Sequence, residues 1–133
     1  MSDNTEKKKI LLVDDDEIQH LIIENMLNDE YEIFKAKSGN EALKFFYNNS
    51  VVIDLVLLDI LMPEIDGWEV FNRMRALSLL KKAPMAFITS VNEPAEEKRA
   101  FDMGAADFIR KPYEQEELKN RIKNIFDKAA VKN

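Results

Sequence analysis

The chain of 133 residues contains no cysteine and a single histidine, His20. Without thiols there are no disulfides, no thiolate zinc centre and no iron–sulfur cluster, and one imidazole excludes a site built from several histidines. With only three glycines and four prolines, no flexible linker rich in these residues divides the chain into domains. Apolar runs stay short of the roughly 18 residues that a membrane-spanning helix needs. The opening residues 1–9 lack the hydrophobic stretch of a signal peptide, so a cytoplasmic location is the expectation. Acids outnumber bases, 25 to 19, and the net charge of -6 favours solubility and speaks against nucleic acid as the main partner.

What is present is an alternation of two kinds of segment. Residues 1–9 read as a flexible polar tail, 10–130 as one folded domain and 131–133 as a polar end. Short branched runs at 10–13, 51–58, 84–88 and 106–109 read as strands, with the more polar 30–36 as an edge strand. Between them lie helical patterns. Ile18, Leu21, Ile22 and Met26 recur at three and four. Ser38 with Glu41 and Asp66 with Glu69 form capping boxes ahead of apolar periodic stretches. Asn92 with Pro94 marks another helix entry, Gly104 its end, and Leu118, Ile122, Ile125, Phe126 and Ala129 a last amphipathic helix. Five strands alternating with five helices predict an α/β fold, a doubly wound parallel sheet with helices on both faces.

Ligands of such sheets bind beyond the carboxyl ends of the strands. There the first strand runs into Asp14, Asp15 and Asp16, the third into Asp59, the fourth into Thr89 and Ser90, and the fifth into Lys111 and Pro112. Three neighbouring carboxylates repel one another unless a cation offsets their charge. Oxygen-only donors favour Mg2+, with Mn2+ as a substitute, and no loop has the spacing of a helix–loop–helix calcium site. Asp59 is set apart because it ends the most hydrophobic run, just before Met62 and Pro63 turn the chain. Such a carboxylate is either a metal ligand or a nucleophile towards phosphorus. The second role needs positive charge around the phosphoryl oxygens, which a metal, the Thr89 hydroxyl and the Lys111 ammonium would supply. Plainer readings stand beside these: Asp16 as a helix cap, Thr89 as a cap or strand-end hydroxyl, Lys111 as surface charge.

Four segments carry a resemblance: ILLVDDDE at 10–17, LVLLDILMPEIDGWE at 55–69, FITS at 87–90 and DFIRKPY at 107–113. In this order the chain resembles the receiver domain of two-component response regulators, the family that includes the single-domain chemotaxis regulator. The resemblance implies a flavodoxin-like (βα)5 sheet of order 2-1-3-4-5. It makes Asp59 the phosphoacceptor, with Asp15, Asp59 and the Leu61 carbonyl on Mg2+ and Asp14 acting through metal-bound water. Lys111 would pair with a carboxylate and then with the phosphoryl group, towards which Thr89 would move. Phe108 falls at the position whose packing changes with that movement, and Pro112 at a proline whose preceding bond is commonly cis.

The implied partners are a sensor histidine kinase or a histidine phosphotransfer protein, and a downstream protein target that the sequence does not specify. A weak or phosphorylation-dependent homodimer is compatible with the family. No turnover enzyme is expected, only promotion of the chain's own Mg2+-dependent phosphorylation and slow dephosphorylation. Glu97 and Arg99 are expected to add exposed charge to an output surface that includes Phe108. Apolar Leu61 and Val91, where fast-hydrolysing relatives carry polar groups, imply a long-lived phosphoryl group. A non-phosphorylated protein-interaction module is the alternative. A flavin carrier is disfavoured by three aspartates where a phosphate loop would stand, and an aspartyl phosphatase by the lack of an acid two residues after Asp59. Trp68 reads as surface or loop packing, the glycines as punctuation of element ends, and His20 as a solvent-facing side chain.

Overall fold

A computed structural model describes residues 6–48, 51–77 and 83–131. Of the expected tail at 1–9, residues 1–5 lie outside the described residues, while Lys8 and Lys9 are drawn into the first strand by pairing with Tyr31 and Glu32. Of the expected end at 131–133, Val131 closes the last helix and 132–133 lie outside the described residues. Five strands, β1 (Lys8–Val13), β2 (Tyr31–Ala36), β3 (Leu55–Leu58), β4 (Met85–Thr89) and β5 (Phe108–Arg110), alternate with α1 (Glu17–Leu27), α2 (Gly39–Asn48), α3 (Gly67–Ala76), α4 (Pro94–Met103) and α5 (Gln115–Val131). All neighbouring strands are parallel, in the order β2-β1-β3-β4-β5, so β2 is the edge strand its polarity suggested.

Local chemistry sets the boundaries. Asp16 caps α1 through the Ile18 N–H at 2.9 Å, and Asp66 caps α3 through the Glu69 N–H at 3.0 Å. Ser38 accepts from the Glu41 N–H, while the Glu41 carboxylate accepts from the Lys37 N–H, a capping box displaced by one residue. β3 is shorter than the apolar run 51–58. The Asp54 carboxylate takes the Lys9 N–H at 2.7 Å, in place of the main-chain carbonyl that would extend the ladder. Gly104 ends α4 with φ 103°, a left-handed backbone that only glycine adopts without strain. At its other end α4 starts with Pro94 behind Glu93, which makes no side-chain cap bond; Asn92 is not the cap.

Strand side chains alternate between two cores. Leu11, Val13, Val56, Leu58, Met85, Phe87 and Phe108 face α2, α3 and α4. Ile10, Leu12, Leu55, Leu57, Ala86, Ile88 and Ile109 face α1 and α5. The helices contribute unequally: α3 buries Trp68, Val70, Phe71 and Met74 along with Gly67, whereas α4 buries only Ala100.

Three expectations are corrected. Trp68 is not a surface residue: its ring lies 4.8 Å from that of Phe87, and the Arg99 guanidinium covers it at 4.1 Å. Although α1 forms, most of the stripe that announced it faces outward, with Ile18 and Leu21 65% and 59% exposed. The inward stripe is His20, Ile23 and Leu27, so His20, at 4% exposure, does not face solvent. Gly67 is required by close approach and not by backbone freedom, because a Cβ there would stand 2.2 Å from the Asp59 carbonyl oxygen and 2.6 Å from Ile60 Cα.

Candidate functional site

The sheet register assembles the strand-end residues. Val13 pairs with Leu58, and Leu58 with Phe87, so Asp14 and Asp59 leave adjacent strands side by side. The Asp59 N–H donates to the Val13 carbonyl at 2.9 Å, and the Asp14 N–H to Ala36 at 3.1 Å. The Lys111 N–H donates to the Thr89 carbonyl at 2.8 Å, which brings the end of β5 alongside β4.

These backbones bring Asp14, Asp15 and Asp59 together, with one carboxylate oxygen from each lying within 4.8 Å of the others. Asp14 and Asp59 are buried and Asp15 is exposed. The Lys111 ammonium stands 2.9 Å from Asp14 Oδ2 and 3.6 Å from Asp59 Oδ2. Asp14 Oδ1 accepts the Asp16 N–H at 2.9 Å, so both of its oxygens are engaged. Asp59 Oδ1 is buried and has no hydrogen-bond partner among the described residues. Burial raises the proton affinity of the Asp59 carboxyl; Lys111 opposes this, Asp14 adds to it, Thr89 and the Leu61 backbone oppose it, and the net shift is upward.

The donor set fits a hard divalent cation. Among the described residues three carboxylates meet one ammonium, one buried oxygen lacks a partner, and every side-chain donor is oxygen. Asp14, Asp15 and Asp59 could therefore coordinate a divalent metal.

Around this centre, Thr89 is fully buried and its Oγ1 accepts the Val91 N–H at 3.2 Å. Phe108 is buried against Phe87, and Leu61 is exposed. The Lys111–Pro112 bond is cis. Asp16 is turned to capping α1. Glu97 pairs with Arg110 on β5, whereas Arg99 is committed to Trp68, so neither is simply free surface charge.

Two further residues border the site. The Tyr113 hydroxyl, pushed up to about 12 by burial and by Asp14, donates to Gln19 Oε1 at 3.2 Å and ties the β5–α5 loop to α1. A cleft of about 320 Å³ opens there, with Ile22, Met26, Pro112 and Tyr113 among its walls together with Lys111. His20 Nε2 lies 2.7 Å from the Asp14 main-chain oxygen. His20 was legible in principle, because His20, Ile23 and Leu27 keep helical spacing, but a count of apolar positions alone passes over it.

A five-stranded sheet of this order with clustered acids at its carboxyl edge defines a class, and comparison places the chain within it. The family model described as the response regulator receiver domain matches residues 10–123, and the chain belongs to that family. It is 36% identical over 91% of its length to the transcriptional regulatory protein CrdR of Helicobacter pylori, covering 56% of that protein. It is 33% identical over 93% of its length to the alkaline phosphatase synthesis transcriptional regulatory protein PhoP of Bacillus subtilis, covering 50% of that protein. The chain thus spans about half the length of these two curated relatives. Among solved structures it is similar to the non-phosphorylated HemR receiver domain of Leptospira biflexa, with 32% identity and TM-score 0.78, covering 90% of this chain and 94% of that one. It is also similar to the chemotaxis protein CheY4 of Vibrio cholerae, with 27% identity and TM-score 0.81, covering 90% and 98%. No helix among the described residues is long and apolar enough to cross a membrane.

Proposed function

We propose that the chain is a phosphoacceptor switch, taking a phosphoryl group from a partner phosphohistidine onto Asp59 with the help of Mg2+. The observation that carries this reading is the setting of Asp59: buried, with one oxygen unpartnered among the described residues, beside two further carboxylates and the Lys111 ammonium.

An Asp59 carboxylate oxygen attacks phosphorus while the phosphorus–nitrogen bond of the donor breaks, and the imidazole leaves with the electron pair. The product is an acyl phosphate. Mg2+ would be held by Asp15, Asp59 and the Leu61 carbonyl, with Asp14 acting through metal-bound water, and would neutralise charge on the transferring group. Lys111, already 3.6 Å from Asp59, is within reach of a phosphoryl oxygen there, and Thr89 supplies a hydroxyl donor from the neighbouring strand end. Exposed Leu61 offers attacking water no hydrogen bond. Leu61→Asn is therefore expected to speed acyl-phosphate loss severalfold, measured as decay of the phosphorylated mass.

The donor must approach over the strand ends, where Ile18, Leu21 and Ile22 expose an apolar strip on α1 beside the cleft that includes Lys111. That strip suits the apolar face of a donor helix, as in a sensor histidine kinase or a histidine phosphotransfer protein. Downstream, α4 is the helix that can respond, since Ala100 is its one buried residue. Its other ties include Met103, packed partly buried against the core beneath it, Glu97 to Arg110 and Arg99 to Trp68.

The test is intact-mass analysis with acetyl phosphate, with Mg2+ present or chelated, for the natural chain and for Asp59→Ala. A gain of one phosphoryl group that requires both Mg2+ and Asp59 is expected. No gain, even with a competent phosphohistidine donor, would favour a non-phosphorylated interaction module.

A further inference from the structure

We infer that His20 is a positioning residue for the acidic cluster, orienting through its Nε2–H the peptide unit that joins Asp14 to Asp15. The inference rests on the reading of Asp14, Asp15 and Asp59 as a cation site and deepens it.

His20 is the only histidine of the chain, and it is almost fully buried in the inward stripe of α1 between aliphatic neighbours. An imidazole there is harder to desolvate than a leucine would be, so its polar contact must offset that cost. The contact is with the Asp14 main-chain oxygen at 2.7 Å. A carbonyl only accepts, so Nε2 carries the proton in this bond. Nδ1 is buried and unpartnered among the described residues, which concentrates the polar value of the side chain in this one bond.

The accepting carbonyl stands where the sheet stops. Val13 is the last residue of β1, and its carbonyl takes the Asp59 N–H. The next carbonyl, that of Asp14, lies beyond the ladder, and the His20 side chain serves as its donor. Because a peptide unit is planar, fixing the Asp14 oxygen also fixes the Asp15 nitrogen, and so the direction in which Asp15 leaves the strand. Asp14 is held independently through Ala36, Lys111 and the Asp16 N–H. Asp15 is different: its carboxylate is exposed and has no hydrogen bond or ion pair among the described residues. Its place within 4.8 Å of the other two carboxylates depends on the backbone that carries it. His20 acts on that backbone from outside the strand, as a partner of a ligand orients the ligand.

The test compares the natural chain with His20→Gln, whose amide nitrogen can replace Nε2 as donor, with His20→Leu, which fills the space without donating, and with His20→Asn, whose shorter amide does not reach. Mn2+ alone is the probe, its free concentration read by electron paramagnetic resonance, and the melting temperature is measured without metal. Leu and Asn are expected to weaken Mn2+ binding roughly tenfold or more, and Gln to restore most of it. If Leu fails to fold, the contrast between Gln and Asn carries the result. Nitrogen NMR of the single imidazole should show the Nε2–H tautomer in the metal-free chain. Mn2+ affinity unchanged in a folded Leu or Asn variant, equal loss in Gln, or an Nδ1–H tautomer would overturn the inference while leaving the cation site standing. A natural chain that binds no Mn2+ would overturn the cation reading and this inference with it.

Discussion

One face of the sheet is packed with aliphatic side chains from α1 and α5, the other with a chain of aromatic rings beneath α3 and α4. On the aliphatic face Ile23, Leu27, Leu118, Ile122 and Ile125 anchor two helices deeply against Leu12, Leu57 and Ile88. On the aromatic face Phe87 touches Trp68, Phe71 and Phe108, with ring centroids 4.8, 5.3 and 6.4 Å away, yet α4 adds only Ala100 to that core. The difference separates two tasks. The aliphatic face seats α1 deeply, and through His20 that helix contacts the Asp14 carbonyl behind the acidic cluster. The aromatic face joins the Thr89 strand end to the most lightly anchored helix, which suits a route by which a change at Asp59 reaches the surface.

The largest expected effect is on the aromatic core. Phe87→Ala should cost about 4 kcal/mol, more than Ile88→Ala at the next position on the opposite face, as read by guanidinium chloride denaturation. Equal losses would break the contrast between the faces. Gly67→Ala comes next, at about 2 to 3 kcal/mol, because the new Cβ meets main-chain atoms of Asp59 and Ile60 that cannot swing aside. It should also slow phosphorylation, since the strand end that presents Asp59 must move.

Asp59→Asn has a smaller effect of opposite sign. Burial raises the folded carboxyl's pKa, so stability falls as pH rises from the unfolded value, roughly pH 3.9, to the folded pKa; the cost is absent below that window and full above it. The Asn variant should therefore melt higher than the natural chain at neutral pH without Mg2+, with the advantage fading as pH falls through the raised folded pKa and gone below about 4. Saturating Mg2+ should shrink the difference by stabilising the natural chain alone.

Arg99→Ala is the smallest change, about 0.5 to 1 kcal/mol for loss of an exposed guanidinium over an indole. Trp68 is the only tryptophan of the chain, so its emission reports the loss directly and should shift to the red as the ring is uncovered. An unchanged spectrum would remove Arg99 as a tie between α3 and α4.

Topology and strand-end chemistry were legible because they rest on strong local signals. Buried branched runs, Asp66 and Gly104 each specify a local structure, and the acids announce themselves where apolar runs stop. Periodicity could not say which way α1 faces, because Ile18, Leu21 and Ile22 form one helical stripe and His20, Ile23 and Leu27 another. The sheet, the Asp14 carbonyl among its neighbours, selects the second. Trp68 was misplaced for a related reason: a residue just after a cap and a glycine reads locally as loop, whereas the close approach of Gly67 to Asp59 draws the indole under α4.

The chemistry of Asp59 is tested most directly by locating the modified residue. After incubation with acetyl phosphate and Mg2+, borohydride reduction converts an aspartyl phosphate to homoserine, which peptide mass mapping assigns to a position. Homoserine at residue 59, formed with Mg2+ and absent when the metal is chelated, is the expected result. Homoserine at another acid, or at residue 59 to the same extent without metal, would contradict a phosphoacceptor built from Asp14, Asp15, Asp59 and Lys111.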